Sequence, residues 1–174
     1  MKLKILSLVT SLLLMNAPFL RAEPITVGTA APQITATNQD GNAVNLGALY
    51  RTGYVLVYFY PKADTPGCTA QACSLRDAYT DLTKRGVTVV GVSTDQTGAQ
   101  KAFQEKYTLP FVLLADPEHK VVDAFGVPLR GTTATRQAFL IKDGKVVWRD
   151  LQASTAKQAA DVLAAMDALG KTSG

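Results

Sequence analysis

Pro61-Lys62-Ala63-Asp64-Thr65-Pro66-Gly67-Cys68-Thr69-Ala70-Gln71-Ala72-Cys73 follows directly on YVLVYFY, residues 54–60. That run is β-branched and aromatic throughout and stops at a proline, which predicts a buried strand. Residues 64–67 read as a turn. Residues 69–85 predict a helix, with Ala72, Leu75, Ala78, Tyr79 and Leu82 recurring on one side and Gly86 stopping it. Cys68 therefore stands where a helix begins. A thiolate there is favoured by the positive end of the helix dipole and by unpaired backbone N–H groups.

Cys73 lies five residues on, in the same helix. Positions i and i+5 of an α-helix are ~8.6 Å apart between Cα atoms. A disulfide needs Cα atoms closer than about 7 Å, so a bond between these two requires the helix to unwind. That opposes a permanent structural bridge. Copper delivery by the two thiols and His119 is also opposed. Exported copper-delivering proteins of thioredoxin-like fold use Cys-x-x-x-Cys, whereas four residues separate the cysteines here, and His119 reads as a solvated turn residue after Asp116-Pro117-Glu118.

Outward from this segment, residues 44–49 read as a weak strand or turn and residues 87–92 as a second buried strand. Helix is expected from Thr97 or Gly98 to Tyr107, strand at 111–114, and a short helix at 121–125. Residues 138–141 and 146–148 flank Asp143-Gly144, a hairpin signal. Thr155 with Gln158 reads as a capping box opening a last helix that Gly170 ends. Alternating strands and helices, then a hairpin and a helix, predict α/β layering around a central mixed sheet. A flavodoxin-like sheet shares that periodicity. The placement of the cysteines favours a thioredoxin-like fold.

The 174 residues carry 47% apolar and 18% charged side chains, a globular composition that excludes general disorder. Two cysteines and one histidine exclude a four-ligand structural zinc site. The net charge of +4 suggests nucleic acid only until the first residues are read. Lys2 and Lys4 precede an apolar run at 5–14, then Asn16, Pro18 and the small residue Ala22, the layout of a secretory signal peptide. The run is shorter than the roughly 20 apolar residues of a membrane span. Cleavage after Ala22 is expected, an uncleaved anchor being the alternative. No cysteine near its end provides a lipid anchor. Removing residues 1–22 leaves 15 basic against 14 acidic residues, a charge of +1, so the basic excess is no argument for nucleic acid. Residues 23–174 read as one domain, exported to the periplasm or another extracytoplasmic space.

The chain resembles a peroxiredoxin of the Q type, the bacterioferritin comigratory protein class. The resemblance runs from Val27-Gly28 and Ala31-Pro32 through Tyr58-Phe59-Tyr60-Pro61 to the final helix. The family pattern Pro-x-x-x-Thr-x-x-Cys is matched by Pro61, Thr65 and Cys68, and the Q type's second cysteine by Cys73 ahead of Leu75-Arg76-Asp77. The family's arginine before a late strand matches Arg136, with Arg130 as the alternative. The resemblance implies a thioredoxin-like peroxiredoxin fold and a thiol peroxidase needing no metal, flavin or haem. It further implies hydrogen peroxide or alkyl hydroperoxides as substrates. By the same resemblance Cys68 would attack, Cys73 would resolve the sulfenic acid as an intramolecular disulfide, and a thioredoxin-like dithiol would restore the pair. Thr65 would hold the peroxide, Arg136 would support the thiolate, and Pro61 and Gly67 would line the substrate site. A monomer is expected, with no nucleic acid partner and no membrane attachment after cleavage.

Bland readings stand beside these. Thr65 could simply cap the helix, and Arg136 could be a surface arginine. Trp148 and Tyr58-Phe59-Tyr60 read as packing. Two other functions fit a thioredoxin-like fold: an exported thiol-disulfide oxidoreductase, whose usual Cys-x-x-Cys is absent, and the copper-delivery module.

Overall fold

The computed structural model describes residues 23–172, so the expected export segment, 1–22, lies outside the described residues. Strands Thr35–Asn38 (β1) and Ala43–Asn45 (β2) pair antiparallel, and a single turn of helix, Leu46–Leu49 (α1), follows. Tyr54–Phe59 (β3) is the expected buried strand. Helices Pro66–Asp77 (α2) and Tyr79–Lys84 (α3) lead to Val87–Ser93 (β4), Thr97–Tyr107 (α4), Val112–Ala115 (β5) and Lys120–Ala124 (α5). A small ladder of Leu129–Arg130 (β6) and Thr133–Ala134 (β7) precedes Gln137–Lys142 (β8), Lys145–Asp150 (β9) and Gln158–Thr172 (α6). The β8–β9 turn is Asp143-Gly144, both at positive φ (50° and 71°), as a tight hairpin of this type demands.

The seven-stranded sheet runs β2-β1-β5-β4-β3-β8-β9. β3, β4 and β5 are parallel, and β1 and β8 flank them antiparallel. Because successive strand side chains point to opposite faces, β3 feeds two cores. Leu56, Tyr58 and Tyr60 join Cys68, Ala72 and Leu75 of α2, Leu82 of α3, Phe103 of α4 and Val162 of α6. Val55, Val57 and Phe59 join Leu46 of α1, Val121 and Val122 of α5, Phe125 and Phe139. The sheet is thus the middle layer between helices, as the alternation predicts. Among the described residues no helix is long and apolar enough to cross a membrane.

Several expectations need correction. The helix expected at 69–85 begins at Pro66 and divides at Ala78 (φ −95°, ψ 8°). Apolar spacing is continuous across that point, but Arg76 is held by the Tyr107 carbonyl (2.9 Å) while the Tyr79 ring lies against Phe111 (6.1 Å between centroids). These anchors belong to other segments, and they override local helical preference. The capping box at Thr155 and Gln158 does not form. Ser154 Oγ accepts from the Lys157 N–H (3.1 Å) instead, and Gln158 turns fully inward. Gly170 does not end α6, which continues to Thr172. The strands β1, β6 and β7 were too short or too polar to be read from periodicity.

Candidate active site

The register of β3 against β8 places the site. Phe59, the last residue of β3, pairs with Gln137, the first of β8. Arg136 therefore stands just past the end of β3, beside the turn that carries the chain into α2. That turn is tied at several points. The Asp95 carboxylate accepts from the Ala63 N–H and from the Ser93 hydroxyl, both at 2.7 Å. Asp64, at φ 60°, accepts from Lys106 Nζ (2.8 Å) and from the Tyr107 hydroxyl (2.6 Å). The bonds to Lys106 and Tyr107 hold its carboxyl below the usual carboxylate range.

Thr65 occupies the N-cap position in extended backbone, with Pro66 as the first helical residue, where the missing N–H costs nothing. The Thr65 hydroxyl does not cap the helix; it donates to the Lys62 carbonyl (3.0 Å), leaving its oxygen free to accept. Cys68 is the third helical residue and is 1% exposed. The N–H groups of Gly67 and Cys68 lie in the first turn, where a helix supplies no acceptors of its own. Arg136 Nη2 lies 3.4 Å from Cys68 Sγ. Thus a cation and a helix N-terminus converge on one sulfur.

Gly67 lies under this guanidinium. A Cβ there would sit 3.3 Å from Arg136 Nη2 and 3.4 Å from the Thr155 methyl, tighter than comfortable contact at the first. A cavity of about 400 Å³ opens beside it, lined by Pro61, Arg130, Thr133, Ala134, Thr135 and Arg136. Arg130 is exposed and lines this cavity from β6. Of the two arginines weighed from the sequence, Arg136 is the one in contact with the sulfur.

Cys73 is half-buried in α2, and both thiols are free. Each lies within continuous helix, at the i, i+5 separation of ~8.6 Å that does not permit a bond. His119 sits in left-handed backbone (φ 61°) ahead of α5, and the described residues contain no cluster of three or more potential metal-ligating His, Cys, Asp or Glu side chains. Tyr58, Phe59 and Tyr60 are fully buried, and Trp148 packs against the α2 side of the core. Burial pushes the Tyr58 and Tyr60 phenols well above their ordinary range, so both stay neutral.

Sequence reasoning missed two residues here. Gln71 Oε1 accepts a hydrogen bond from Arg136 Nη1, and Gln71 Nε2 donates to Gln158 Oε1 (2.7 Å). Both glutamines are 0% exposed. A polar residue on the same helical face as Cys68, Ala72 and Leu75 was the available signal for Gln71. Nothing in the sequence linked it to Gln158.

Residues 27–149 match the AhpC/TSA family. The chain is 45% identical over 125 residues to "Peroxiredoxin Q, chloroplastic" of Oryza sativa subsp. japonica, covering 71% of this chain and 57% of that protein. It is 50% identical over 104 residues to "Peroxiredoxin Bcp" of Escherichia coli strain K12, covering 60% of this chain and 66% of that one. The fold matches the crystal structure of peroxidoxin BcpB from Mycobacterium tuberculosis with a TM-score of 0.77 at 32% identity, over 83% of this chain and 97% of that chain. The architecture is the thioredoxin-like peroxiredoxin fold.

Proposed function

The chain belongs to the AhpC/TSA family, within it to the peroxiredoxin Q/Bcp group, and from that premise we propose that it is an exported thiol-dependent peroxidase. Its substrates are hydrogen peroxide and organic hydroperoxides. The observation that carries this reading is the Arg136 guanidinium 3.4 Å from a buried Cys68 Sγ in the first turn of α2.

The Cys68 thiolate attacks the terminal oxygen of ROOH. The S–O bond forms as the O–O bond breaks, the alkoxide takes a proton and leaves as ROH, and Cys68 becomes a sulfenic acid. Arg136 and the first-turn N–H groups stabilise charge developing on oxygen, and the free lone pairs of Thr65 accept the peroxide hydrogen. Pro61 and Gly67 leave room for the substrate beside the guanidinium. The Cys73 thiol then attacks the sulfenic sulfur and water leaves, giving the disulfide. A thioredoxin-like dithiol reverses that bond by exchange and is itself oxidised. No metal or organic cofactor enters these steps.

The basic-then-apolar start and Ala22 support cleavage after residue 22, which leaves residues 23–174 as the exported domain. Intact mass of the exported protein tests the cleavage: an N-terminus at Glu23 agrees with it, and a full-length chain refutes it. The activity is tested by peroxide consumption with a dithiol reductant. Cys68→Ser is expected to abolish turnover, and substantial retained turnover would show the nucleophile to be misassigned.

A further inference from the structure

We propose that Gln158, the first residue of α6, is a positioning residue for Arg136 and acts through Gln71; its bearing on peroxide reduction rests on the function proposed above. Arginine carries only donors, so the Gln71 atom that meets Arg136 Nη1 has to be its oxygen. The Gln71 amide nitrogen then points the opposite way and needs an acceptor, which Gln158 Oε1 supplies at 2.7 Å. Both side chains are 0% exposed, so water does not compete for either group.

Gln158 therefore decides which way round the Gln71 amide sits. Without its oxygen, a half-turn of that amide would aim N–H groups at the guanidinium, and donors would face donors. Gln158 Nε2, by contrast, has no hydrogen-bond partner among the described residues. Only the acceptor half of the Gln158 amide is used, and a buried unpaired N–H is a cost an apolar side chain would not carry. The placement of Gln158 is itself held, because the Ala159 N–H donates to Ser74 Oγ of α2 (3.2 Å). The chain of contacts runs from α6 through α2 to Arg136 and so to Cys68 Sγ.

The test measures two rates on the full chain: reaction of Cys68 with hydrogen peroxide, and alkylation of Cys68 by iodoacetamide at neutral pH, assigned by peptide mass. Gln158→Met, which keeps the bulk and removes the acceptor, is expected to slow both by about tenfold. Gln158→Glu keeps an acceptor oxygen and is expected to stay within about threefold of wild type. The decisive comparison uses a Gln71→Glu background, where a carboxylate presents oxygen to Arg136 whichever way it turns. There Gln158→Met is expected to cost less than about twofold, because the orienting role is gone. Equal slowing by Gln158→Met in both backgrounds would reduce Gln158 to packing and overturn the proposal.

If Gln158→Met fails to fold, a second acceptor-free variant carries the same test. There the slowing is expected to be read from Gln158→Leu, which removes the acceptor with a different apolar shape: about tenfold opposite Gln71 and less than about twofold opposite Gln71→Glu. Equal behaviour in both backgrounds would overturn the proposal. A wild-type protein that leaves peroxide untouched would refute the peroxidase reading, and the alkylation rates would still decide the relay.

Discussion

Oxidising the thiol pair should unwind the start of α2, and the contacts of that helix set the size of the effect. With Cys68 and Cys73 both inside continuous helix, a bond needs Cα atoms ~8.6 Å apart to close to under about 7 Å. Unwinding breaks three tertiary hydrogen bonds: Gln71 to Gln158, Arg136 to Gln71, and Ala159 to Ser74. At about 1 kcal/mol for each neutral bond and about 2 for the charged one, the disulfide form is destabilised by roughly 4 kcal/mol. At about 30 mV per 1.4 kcal/mol, its reduction potential should lie roughly 85 mV above that of an unstrained bridge. Equilibration against dithiol buffers, read by intact mass, measures the potential. Hydrogen exchange over residues 66–77 reads the structure, with lower protection expected in the oxidised form. A potential at or below about −300 mV, typical of structural disulfides, would refute the reasoning. So would equal protection in both redox states.

Other outcomes follow from the same geometry. Cys73→Ser should react once with peroxide, stall as sulfenic acid and then gain a second oxygen, whereas the wild type should lose two hydrogens; intact mass separates the two, and disulfide-linked dimers of the wild type would show that Cys73 is not the resolving partner. Arg136→Met removes the cation 3.4 Å from Cys68 Sγ and should slow the peroxide reaction by about 10- to 1,000-fold. Arg130→Met should cost far less, and a larger loss from Arg130→Met in stopped-flow rates would move the role to that residue. Gly91→Ala would place a Cβ 2.8 Å from Leu113 Cδ2 and from the Tyr58 ring carbon Cζ and hydroxyl. Overpacking of this kind costs about 1–3 kcal/mol, so Tm should fall by roughly 3–9 °C, and an unchanged melting curve would contradict the close approach.

Features set by neighbouring residues were legible in the chain itself. The uninterrupted run in β3 read as a buried strand, Asp143-Gly144 as a hairpin turn, and the helical spacing after Cys68 put the thiol at a helix start. The spacing of the two cysteines already implied that they could not bond inside an intact helix. These inferences rest on backbone sterics and on periodicities of two or 3.6 residues, which act over a few positions.

What surrounds the sulfur was decided elsewhere. Arg136 reaches Cys68 across 68 residues of chain because β8 pairs with β3 in a register that sets Gln137 against Phe59; a shift of one residue would turn its side chains to the other face. Gln71 and Gln158 are 87 residues apart and meet only because α6 packs on α2. The same packing drew Gln158 inward, away from the cap its neighbours suggested, and the anchors on Arg76 and Tyr79 divided a helix whose apolar stripe runs on unbroken. Periodicity reports which face of an element is buried. It carries no record of the polar atom that face will meet, and for a buried donor or acceptor that partner determines the orientation.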